Sequence, residues 1–468
     1  GSSFQFTNSY NQTGKISRYW LYTYINGVTY YDWQSFNEND TIGVGIGYTQ
    51  KGTGVADSEQ QYIFEGKPNN GTIVIPVVDS GGDGSVPAVS KTDYLLGNPY
   101  PSALDIHRFI NDNEGVIDGT LQLWQQWSGS SHILNDYNGG YAQVNKLGGV
   151  RAYQFVGVEG DSNGNQDGTK TPSRYLPVSQ GFIVEVVADG NVVFNNNQRV
   201  FVKESDADGS YNSGSVFFRG NPNSSEAIAK TTVNSNEALM QKIRLEFNSV
   251  DGPQTRRELL LGFSSDTSDD YDYGYDAKNT EENDDDLNLV MANDRYTIQA
   301  YSIIEEDKVV PLMLNASGVY NYTIKLTETE NISEDQEIYL KDNLTNTYYN
   351  LREGEPYEFL SEAGEFSNRL EIVFQGEAAS LSQTDEIIED LDMYYAIGRK
   401  KMVILNPNNK AIKQIDVVNM LGQSVYTINN VFEGRYNEYD LHNLNTGAYV
   451  ISLTTDTNTV LTKKIIVK

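Results

Sequence analysis

The sequence predicts an all-β protein with two larger domains of β-sandwich or jelly-roll type and a small immunoglobulin-like β-sandwich at the C-terminal end. Short runs rich in Val, Ile, Tyr, Thr and Phe recur along the chain, and Gly, Asn, Asp and Pro separate them. This pattern is typical of strands joined by turns, and stretches with helical periodicity are scarce. At about 150 residues per domain, the 468 residues have room for roughly three domains.

The composition excludes several classes of function. The chain has 34 basic and 64 acidic residues and a formal net charge of -30, so it should repel nucleic acid and anionic lipid. It has no Cys, which excludes disulfides, thiolate metal sites and a cysteine nucleophile. The first residues lack the segments of a signal peptide. The acidity and the abundance of Tyr, Asn and Gly favour a mature piece of an exported protein over a cytosolic one.

The clearest strand patterns are Gly71–Val78, Gly181–Val187, Lys242–Phe247 and Leu370–Phe374. The last two alternate apolar and polar residues over most of their length. We therefore expect each of them to bury one face and to expose the other to water.

One short helix is also predicted. Ser102 is a candidate N-cap, Asp105 follows three residues later, and Ile106, Phe109 and Ile110 share one face. We expect this helix to lie over a sheet.

Changes of composition divide the chain into four segments. Residues 378–392 are small, polar and acidic, which is typical of a linker. The linker is followed by a third strand-rich domain, 393–468. A weaker change of pattern divides the larger part into one domain at 1–235, with the short helix near 102–111, and a second at 236–377.

The C-terminal domain carries three motifs, namely Met420–Val425 (MLGQSV), Leu441–Val450 (LHNLNTGAYV) and Thr462–Lys468 (TKKIIVK). In order and spacing they resemble the C-terminal sorting domain, in its type A form, of cargo proteins of the type IX secretion system of the Bacteroidota. The resemblance identifies residues 393–468 as an export signal.

That resemblance also implies partners and a location. In that family the domain docks on an outer-membrane shuttle protein and on the translocon, and a cell-surface protease with sortase-like activity commonly removes it. The positions that match the family motifs are Leu421, Gly422, Gly447, Tyr449, Lys463, Lys464 and Lys468. We therefore expect a secreted or cell-surface protein that binds the type IX machinery through its last domain.

The final strand also suits presentation to a receptor. Lys463, Lys464 and Lys468 place cations at an edge that the interleaved apolar residues hold to the sheet, so the strand could bind a receptor by strand pairing. The alternative is that these lysines only keep an edge strand soluble.

The larger part of the chain resembles the non-catalytic β-rich region that precedes the sorting domain in many large flavobacterial surface proteins. The segments that carry this resemblance are Tyr62–Gly71, Leu96–Asp105, Leu176–Phe182 and Tyr273–Asp276. The resemblance implies no enzyme activity, and it implies that the chain is the C-terminal portion of a longer polypeptide.

Calcium is the one metal that the sequence favours. Asp161, Asn163, Asn165 and Asp167 place oxygen ligands at alternate positions, as looped calcium sites do. The carboxylate that such a loop needs at its end is missing, so a simple Asn/Gly turn is the alternative. The acidic run Asp266–Asp276 is predicted to be a solvated loop, with calcium binding as the alternative.

Trp124 and Trp127 are candidate glycan-binding residues, because an exposed indole offers an apolar face that matches a pyranose ring. Trp20 and Trp33 share this chemistry. If the segment is a strand, Trp124 lies on the face opposite its leucine neighbours. The alternative is that these rings pack in a core.

The sequence contains no Gly-x-Ser-x-Gly elbow, no His-Glu-x-x-His helix and no phosphate-binding glycine loop. We therefore expect a non-enzymatic protein with an adhesive or surface-structural role. One alternative is a carbohydrate-binding accessory region of a secreted polysaccharide-degrading protein, and another is an enzyme of unrecognised type.

Overall fold

The computed structural model describes most of the chain in segments. The described residues are 5–54, 62–63, 65–81, 91–128, 138–152, 168, 170–207, 210–216, 240–253, 255–280, 283–292, 294–376, 392–396, 400–406, 411–419, 423–429, 434–441, 444–456 and 460–467. The chain divides into two compact units, Gly1–Glu377 and Ala378–Lys468.

Among the residues that the structure describes, the first half of unit Gly1–Glu377 consists of short strands around one α-helix. These are β1 Gln5–Thr7, β2 Lys15–Ser17, β3 Tyr22–Tyr24, β4 Trp33–Ser35, β5 Ile73–Val77, β6 Thr92–Gly97, β7 Ala103–Asp105, helix α1 Ile106–Asp112, β8 Leu121–Ser128, β9 Asn138–Val144, β10 Gly149–Val150, β11 Tyr175–Leu176, β12 Gly181–Val186, β13 Gly190–Phe194 and β14 Arg199–Val200. The main sheet has the order β10-β9-β8-β12-β6, and the smaller sheets are β11-β7-β14, β13-β5, β1-β2 and β3-β4.

The first core lies between the main sheet, helix α1 and the β13-β5 pair. Leu96, Leu123 and Val184 of the sheet meet Phe109 of α1 and Phe194 of β13, and all five are buried. The rings of Phe109 and Phe194 lie 4.9 Å apart. Every second residue of the sheet strands thus faces this core, which explains their apolar alternation.

The predicted helix is present, with its expected apolar face buried, but Ser102 does not cap it. The N-cap is Asp105, whose side chain accepts the backbone N–H of His107. The three residues of β7 pair with both β11 and β14, so the chain is still extended where the sequence pattern started the helix. Single-turn 3-10 helices occur at Arg18–Trp20, Tyr30–Asp32, Asn196–Gln198, Glu204–Asp206 and Leu351–Glu353.

The second half of the same unit is one large sheet. Its strands are β15 Gln241–Ser249, β16 Arg256–Phe263, β17 Ala277–Lys278, β18 Asp286–Met291, β19 Asp294–Tyr301, β20 Val309–Ala316, β21 Tyr320–Glu330, β22 Tyr339–Asp342, β23 Thr347–Asn350, β24 Tyr357–Ser361 and β25 Gly364–Val373. Their order is β23-β22-β25-β20-β18-β19-β16-β15-β21-β24, with β17 beside β19.

Side chains nearly close this sheet on itself. Asp342, at the end of β22, is fully buried and accepts hydrogen bonds from Arg369 of β25 at 3.0 Å and from the Tyr357 hydroxyl of β24 at 3.2 Å. Arg369 also donates to the Leu360 carbonyl of β24 at 3.0 Å. The buried ion pair between β22 and β25, at one end of the sheet, is thus hydrogen-bonded to β24 at the other end, and the second core fills the interior.

The polar face of β15 is buried at Lys242 and Arg244 and only partly exposed at Glu246 and Asn248, so the expectation that water covers this face is wrong. Arg244 is 7% exposed, donates to the Gly149 carbonyl at 2.7 Å and lies 3.6 Å from a Glu258 oxygen. The backbone N–H of Arg151 donates to the same carboxylate at 2.7 Å. The chain around β10 thus covers β15 and β16 and joins the two halves; this contact is called the seam below.

Unit Ala378–Lys468 is a two-sheet sandwich. Its strands are β26 Asp392–Ala396, β27 Lys401–Leu405, β28 Ile412–Asn419, β29 Ser424–Ile428, β30 Tyr436–Asp440, β31 Gly447–Thr455 and β32 Val460–Val467. The sheets β26-β27-β30 and β29-β28-β31-β32 share one core that includes Met393, Ile404, Val417, Ile451 and Ile465.

The all-β prediction is confirmed. The predicted boundary at 235/236 lies outside the described residues, as does the linker 378–392 apart from Asp392, so both stay predictions. None of the helices in the described segments is long and apolar enough to cross a membrane.

Candidate functional site

The last strand of the chain, β32, is an edge strand. It pairs with β31 along its whole length, and no described strand pairs with its other side. Ile465 and Val467 are buried, whereas Lys463 and Lys464 are exposed; Lys468 lies outside the described residues. Apolar side chains thus anchor this edge strand, and two exposed cations lie on it.

Gly447 and Tyr449 fix the chain where it enters β31. The Tyr449 side chain is almost buried, and its hydroxyl donates to the Asn445 carbonyl at 2.9 Å. A Cβ on Gly447 would lie 3.7 Å from this ring, an ordinary van der Waals distance. A tyrosine that bonds back to the preceding turn is a recurrent brace of β-sandwiches.

Leu421 and Gly422 belong to the connection between β28 and β29 and lie outside the described residues. The residues at the two ends of that connection, Asn419 and Gln423, are hydrogen-bonded to each other. The Asn419 N–H donates to the Gln423 carbonyl at 3.0 Å, and the Gln423 N–H donates to Asn419 Oδ1 at 3.0 Å. The two strands that flank the first sorting motif, β28 and β29, pair with each other in antiparallel orientation.

Trp124 lies on the face of the main sheet opposite the first core. It is half-buried, with its ring 5.0 Å from that of Tyr141 in an edge-on arrangement. A Cβ on Gly139 would come within 2.6 Å of the indole, so the ring packs directly over this glycine. Trp127 belongs to the same strand, but its side chain is not among the described ones. The described aromatic pair is thus Trp124 and Tyr141.

The predicted calcium ligands Asp161, Asn163, Asn165 and Asp167 lie outside the described residues, so the calcium prediction stays a prediction. Within the described segments, no group of three or more His, Asp or Glu side chains is arranged to hold a metal ion.

The acidic run Asp266–Asp276 is not a solvated loop throughout. Its first part is largely exposed, but its second part reaches across to the first half of the unit. There the hydroxyl of Tyr271 donates to the Asp118 carbonyl at 3.1 Å, and that of Tyr273 donates to the Ile110 carbonyl at 3.0 Å. Burial raises the pKa of both tyrosines well above the usual value, so they remain protonated donors. Residues 271–276 are called the latch below.

Two glycines allow the latch to approach closely. Gly274 has φ +73° and Gly119 has φ +88°, and a Cβ on Gly119 would lie 2.8 Å from the Gly274 backbone. The Lys146 N–H donates to the Gly274 carbonyl at 2.7 Å, and its ammonium lies 4.3 Å from the Tyr275 ring. Backbone and side-chain contacts together join the halves at this point.

Asp276 ends the latch and is 2% exposed. Its carboxylate accepts the backbone N–H groups of Asp272 and Ala300, each at 2.7 Å. Burial is nevertheless the dominant influence and raises the pKa of Asp276 to about 7.

Sequence reasoning did not single out the charged residues of the seam. A cleft of about 320 Å³ lies there, lined by Thr171, Ser210, Tyr211, Arg244, Glu258, Glu328, Glu330 and Asn331. Arg244 lies 3.2 Å from Glu328, and Lys242 lies 3.2 Å from Glu330. Opposite charges therefore compensate one another within the cleft. The only sequence pattern that marks these residues is the alternation in Lys242–Phe247. It shows that one face of the strand is charged, but it does not show whether another part of the chain covers that face.

Two family models match the chain. One, described as Domain of unknown function (DUF8693), matches residues 2–374, and the other, described as Secretion system C-terminal sorting domain, matches residues 399–468. No curated protein and no solved structure matches. The second match confirms the resemblance drawn from the C-terminal motifs: the chain is type IX secretion cargo with a C-terminal sorting domain, and it is secreted or held at the cell surface.

Proposed function

This chain belongs to the family described as Domain of unknown function (DUF8693), and we propose that its unit Gly1–Glu377 is a non-catalytic adhesive or surface-structural module. The observation that carries the proposal is the cross-bracing of the two halves by the seam and the latch. An adhesive module must transmit force through its own fold. Buried polar networks that are fully hydrogen-bonded make a fold rigid, which suits this task.

The compensation of charges at the seam supports the non-catalytic part of the proposal. Enzyme clefts hold groups with perturbed pKa values directed at a substrate. Here Arg244 lies between the carboxylates of Glu258 and Glu328, so these charges brace the protein itself. Turnover of any substrate by the full chain, lost on Glu258→Gln with the fold intact, would contradict this proposal.

An attachment assay tests the adhesive role. Cells that lack the protein are expected to attach less well to surfaces, and the full chain supplied in trans is expected to restore attachment. The control is secretion of another type IX cargo, which should be unchanged. Normal attachment of the deletion strain would count against adhesion.

Export by the type IX system follows from the sorting domain. We propose that the shuttle protein and the translocon bind β32, the outermost strand of its sheet, by adding a strand, with Lys463 and Lys464 as the cationic flank. A periplasmic reporter fused to residues 393–468 should reach the cell surface in a host with this pathway. The matched control ends before β32 and should stay in the periplasm; equal export of both fusions would refute the role of the strand.

Carbohydrate binding is the second candidate, and the half-buried pair Trp124 and Tyr141 favours it. A glycan array probed with the full chain tests this function, with Trp124→Ala and Trp127→Ala as variants. Binding that both substitutions leave unchanged would exclude these two residues as the site.

A further inference from the structure

Three aromatic side chains form a cluster on the surface near the first described strands. The ring centroids of Tyr10 and Tyr19 lie 4.1 Å apart, those of Tyr19 and Trp20 5.1 Å, and those of Tyr10 and Trp20 6.3 Å. Tyr10 is 52% exposed and Tyr19 is 45% exposed, while Trp20 is half-buried. These residues are called the N-terminal aromatic cluster below.

Hydrogen bonds to the backbone hold the cluster in place. The Trp20 indole N–H donates to the Tyr10 carbonyl at 3.0 Å, and the Thr49 hydroxyl donates to the Trp20 carbonyl at 3.0 Å. The Ser17 hydroxyl donates to the Ser9 carbonyl at 2.7 Å and ties the loop to β2. Rings that are fixed in advance lose little conformational entropy when a ligand covers them.

One cation lies beside the Trp20 ring, and Arg18 immediately precedes Tyr19 in the chain. The Lys51 ammonium lies 5.7 Å from the Trp20 ring centroid. Arg18 donates to the Glu38 carboxylate at 2.6 Å and to the Asn8 side-chain oxygen at 3.0 Å. Hydrogen-bond donors and acceptors thus lie beside an apolar surface, which is the arrangement that a sugar ring needs, with its apolar C–H face and its rim of hydroxyls.

The size and the charge of the cluster narrow the choice of ligand. Buried aromatic side chains each cover about 150–250 Å², so three partly exposed rings offer roughly 300 Å². A stable protein partner needs about 800 Å² on each side, which is far more. The Arg18 charge is compensated by Glu38, and the chain carries a net charge of -30, so an anionic ligand would be repelled.

We propose that the N-terminal aromatic cluster binds a neutral polysaccharide. A pyranose ring stacks on the exposed faces of Tyr10 and Tyr19, and its hydroxyls reach the polar groups beside Trp20. This inference rests on the carbohydrate-binding candidate function, and it assigns the binding to residues other than Trp124.

Binding of the full chain to defined polysaccharides tests the proposal. The probes are insoluble cellulose and chitin in pull-down, and soluble xylan and laminarin in affinity electrophoresis, with the polyanion alginate for comparison. We expect binding to at least one neutral probe and none to alginate. Tyr10→Ala and Tyr19→Ala should each weaken binding about tenfold, as is common for aromatic anchors.

The matched control is Phe201→Ala, which removes an aromatic side chain that is 89% exposed elsewhere in the unit and should leave binding unchanged. Tyr19→Phe keeps the stacking face and should bind almost as the parent does. An unchanged thermal unfolding curve shows that each variant is folded.

Three outcomes would overturn the proposal, and they separate it from the function on which it rests. Loss of binding in Trp124→Ala with normal binding in Tyr10→Ala and Tyr19→Ala would keep carbohydrate binding but exclude this site. Failure of the parent chain to bind any neutral probe would refute both this site and the carbohydrate-binding function. Binding of alginate as tight as that of a neutral probe would refute the neutral ligand.

Discussion

Replacing Asp276 with Asn should remove a pH-dependent part of the free energy of unfolding of unit Gly1–Glu377. The pKa of this carboxyl is raised from 3.8 to about 7, chiefly by burial, with a smaller contribution from the nearby Asp272 carboxylate. The two backbone N–H groups that the carboxylate accepts, from Asp272 and Ala300, act in the opposite direction but do not offset burial.

The direction of the effect follows from proton linkage. In the unfolded chain Asp276 loses its proton near pH 3.8, whereas in the folded chain it keeps the proton up to about pH 7. Between these values the folded state binds more protons, so the stability contributed by this group is complete at low pH and is lost as the pH rises through 7. At about 1.4 kcal/mol per pH unit, the part between pH 5 and pH 8 amounts to about 3 kcal/mol.

Other groups titrate in the same range, so a matched comparison is needed. Burial lowers the pKa of His107 to about 3, and burial raises the pKa of Asp93 to about 6. Both contribute equally to the parent and to the variant, and the difference between the two proteins therefore isolates Asp276.

Urea unfolding of the parent and of Asp276→Asn at pH 5, 6, 7 and 8 measures this difference. At pH 5 Asp276 is protonated in the folded parent, and both oxygens of the carboxyl group can still accept hydrogen bonds. The variant should be less stable by about 1 kcal/mol at this pH, because the amide NH2 group cannot accept the second backbone N–H. Relative to the parent, it should gain about 3 kcal/mol by pH 8. Parallel pH profiles would refute the reasoning, since they would mean that Asp276 is already ionised throughout this range.

The latch, the seam and β32 give further predictions. Gly274→Ala should lower the free energy of unfolding, measured in urea, by about 2–4 kcal/mol, because the residue has φ +73° and the new Cβ would lie 2.5 Å from the Lys146 side chain. The matched control is Gly354→Ala, at φ +88° with nothing within 4 Å of the new Cβ. It should lower the free energy of unfolding by only about 1–2 kcal/mol. Arg244→Met should lower the stability of the unit by about 3 kcal/mol, because it removes one of the two arginines beside the buried Glu258 carboxylate and leaves Arg151 alone to compensate that charge. A loss below about 0.5 kcal/mol would show that the seam is not a brace. The double variant Lys463→Glu, Lys464→Glu should reduce export of the full chain. Because both side chains are exposed, its free energy of unfolding should change by no more than about 0.5 kcal/mol. Normal export of this variant would show that the two cations do not contribute to recognition.

The sequence predicted the features that depend on local pattern. Period-two alternation marks strands because neighbouring side chains point to opposite faces. It located β15 within two residues, but it found only the last part of β25, which begins at Gly364 and not at Leu370. The sorting motifs are similarly local, so the C-terminal sandwich could be identified from three short segments. The N-cap was misplaced because Ser102 and Asp105 are both good caps, and the pairing of β7 with two distant strands decided between them.

The features that depend on distant parts of the chain were missed. The alternation in β15 shows that one face is apolar, but it cannot show that Gly149 and Arg151 cover the other face. The acidic run was interpreted from its charge, although its interleaved tyrosines and Gly274 carry the contacts to the first half. Aromatic residues within an acidic segment therefore deserve more weight than the charge itself, because a solvated loop has no need of buried rings.

The chain has no Cys, so no disulfide can hold the strands of unit Gly1–Glu377 together. Buried Arg–Asp pairs take that place: Arg174 with Asp105 beside α1, Arg257 with Asp286 in the large sheet, and Arg369 with Asp342 where that sheet closes. Removing one partner of a buried pair costs about 3–5 kcal/mol, because it leaves the other charge uncompensated in the interior. These braces need no oxidising compartment in order to form, so the unit can be stable on either side of the outer membrane.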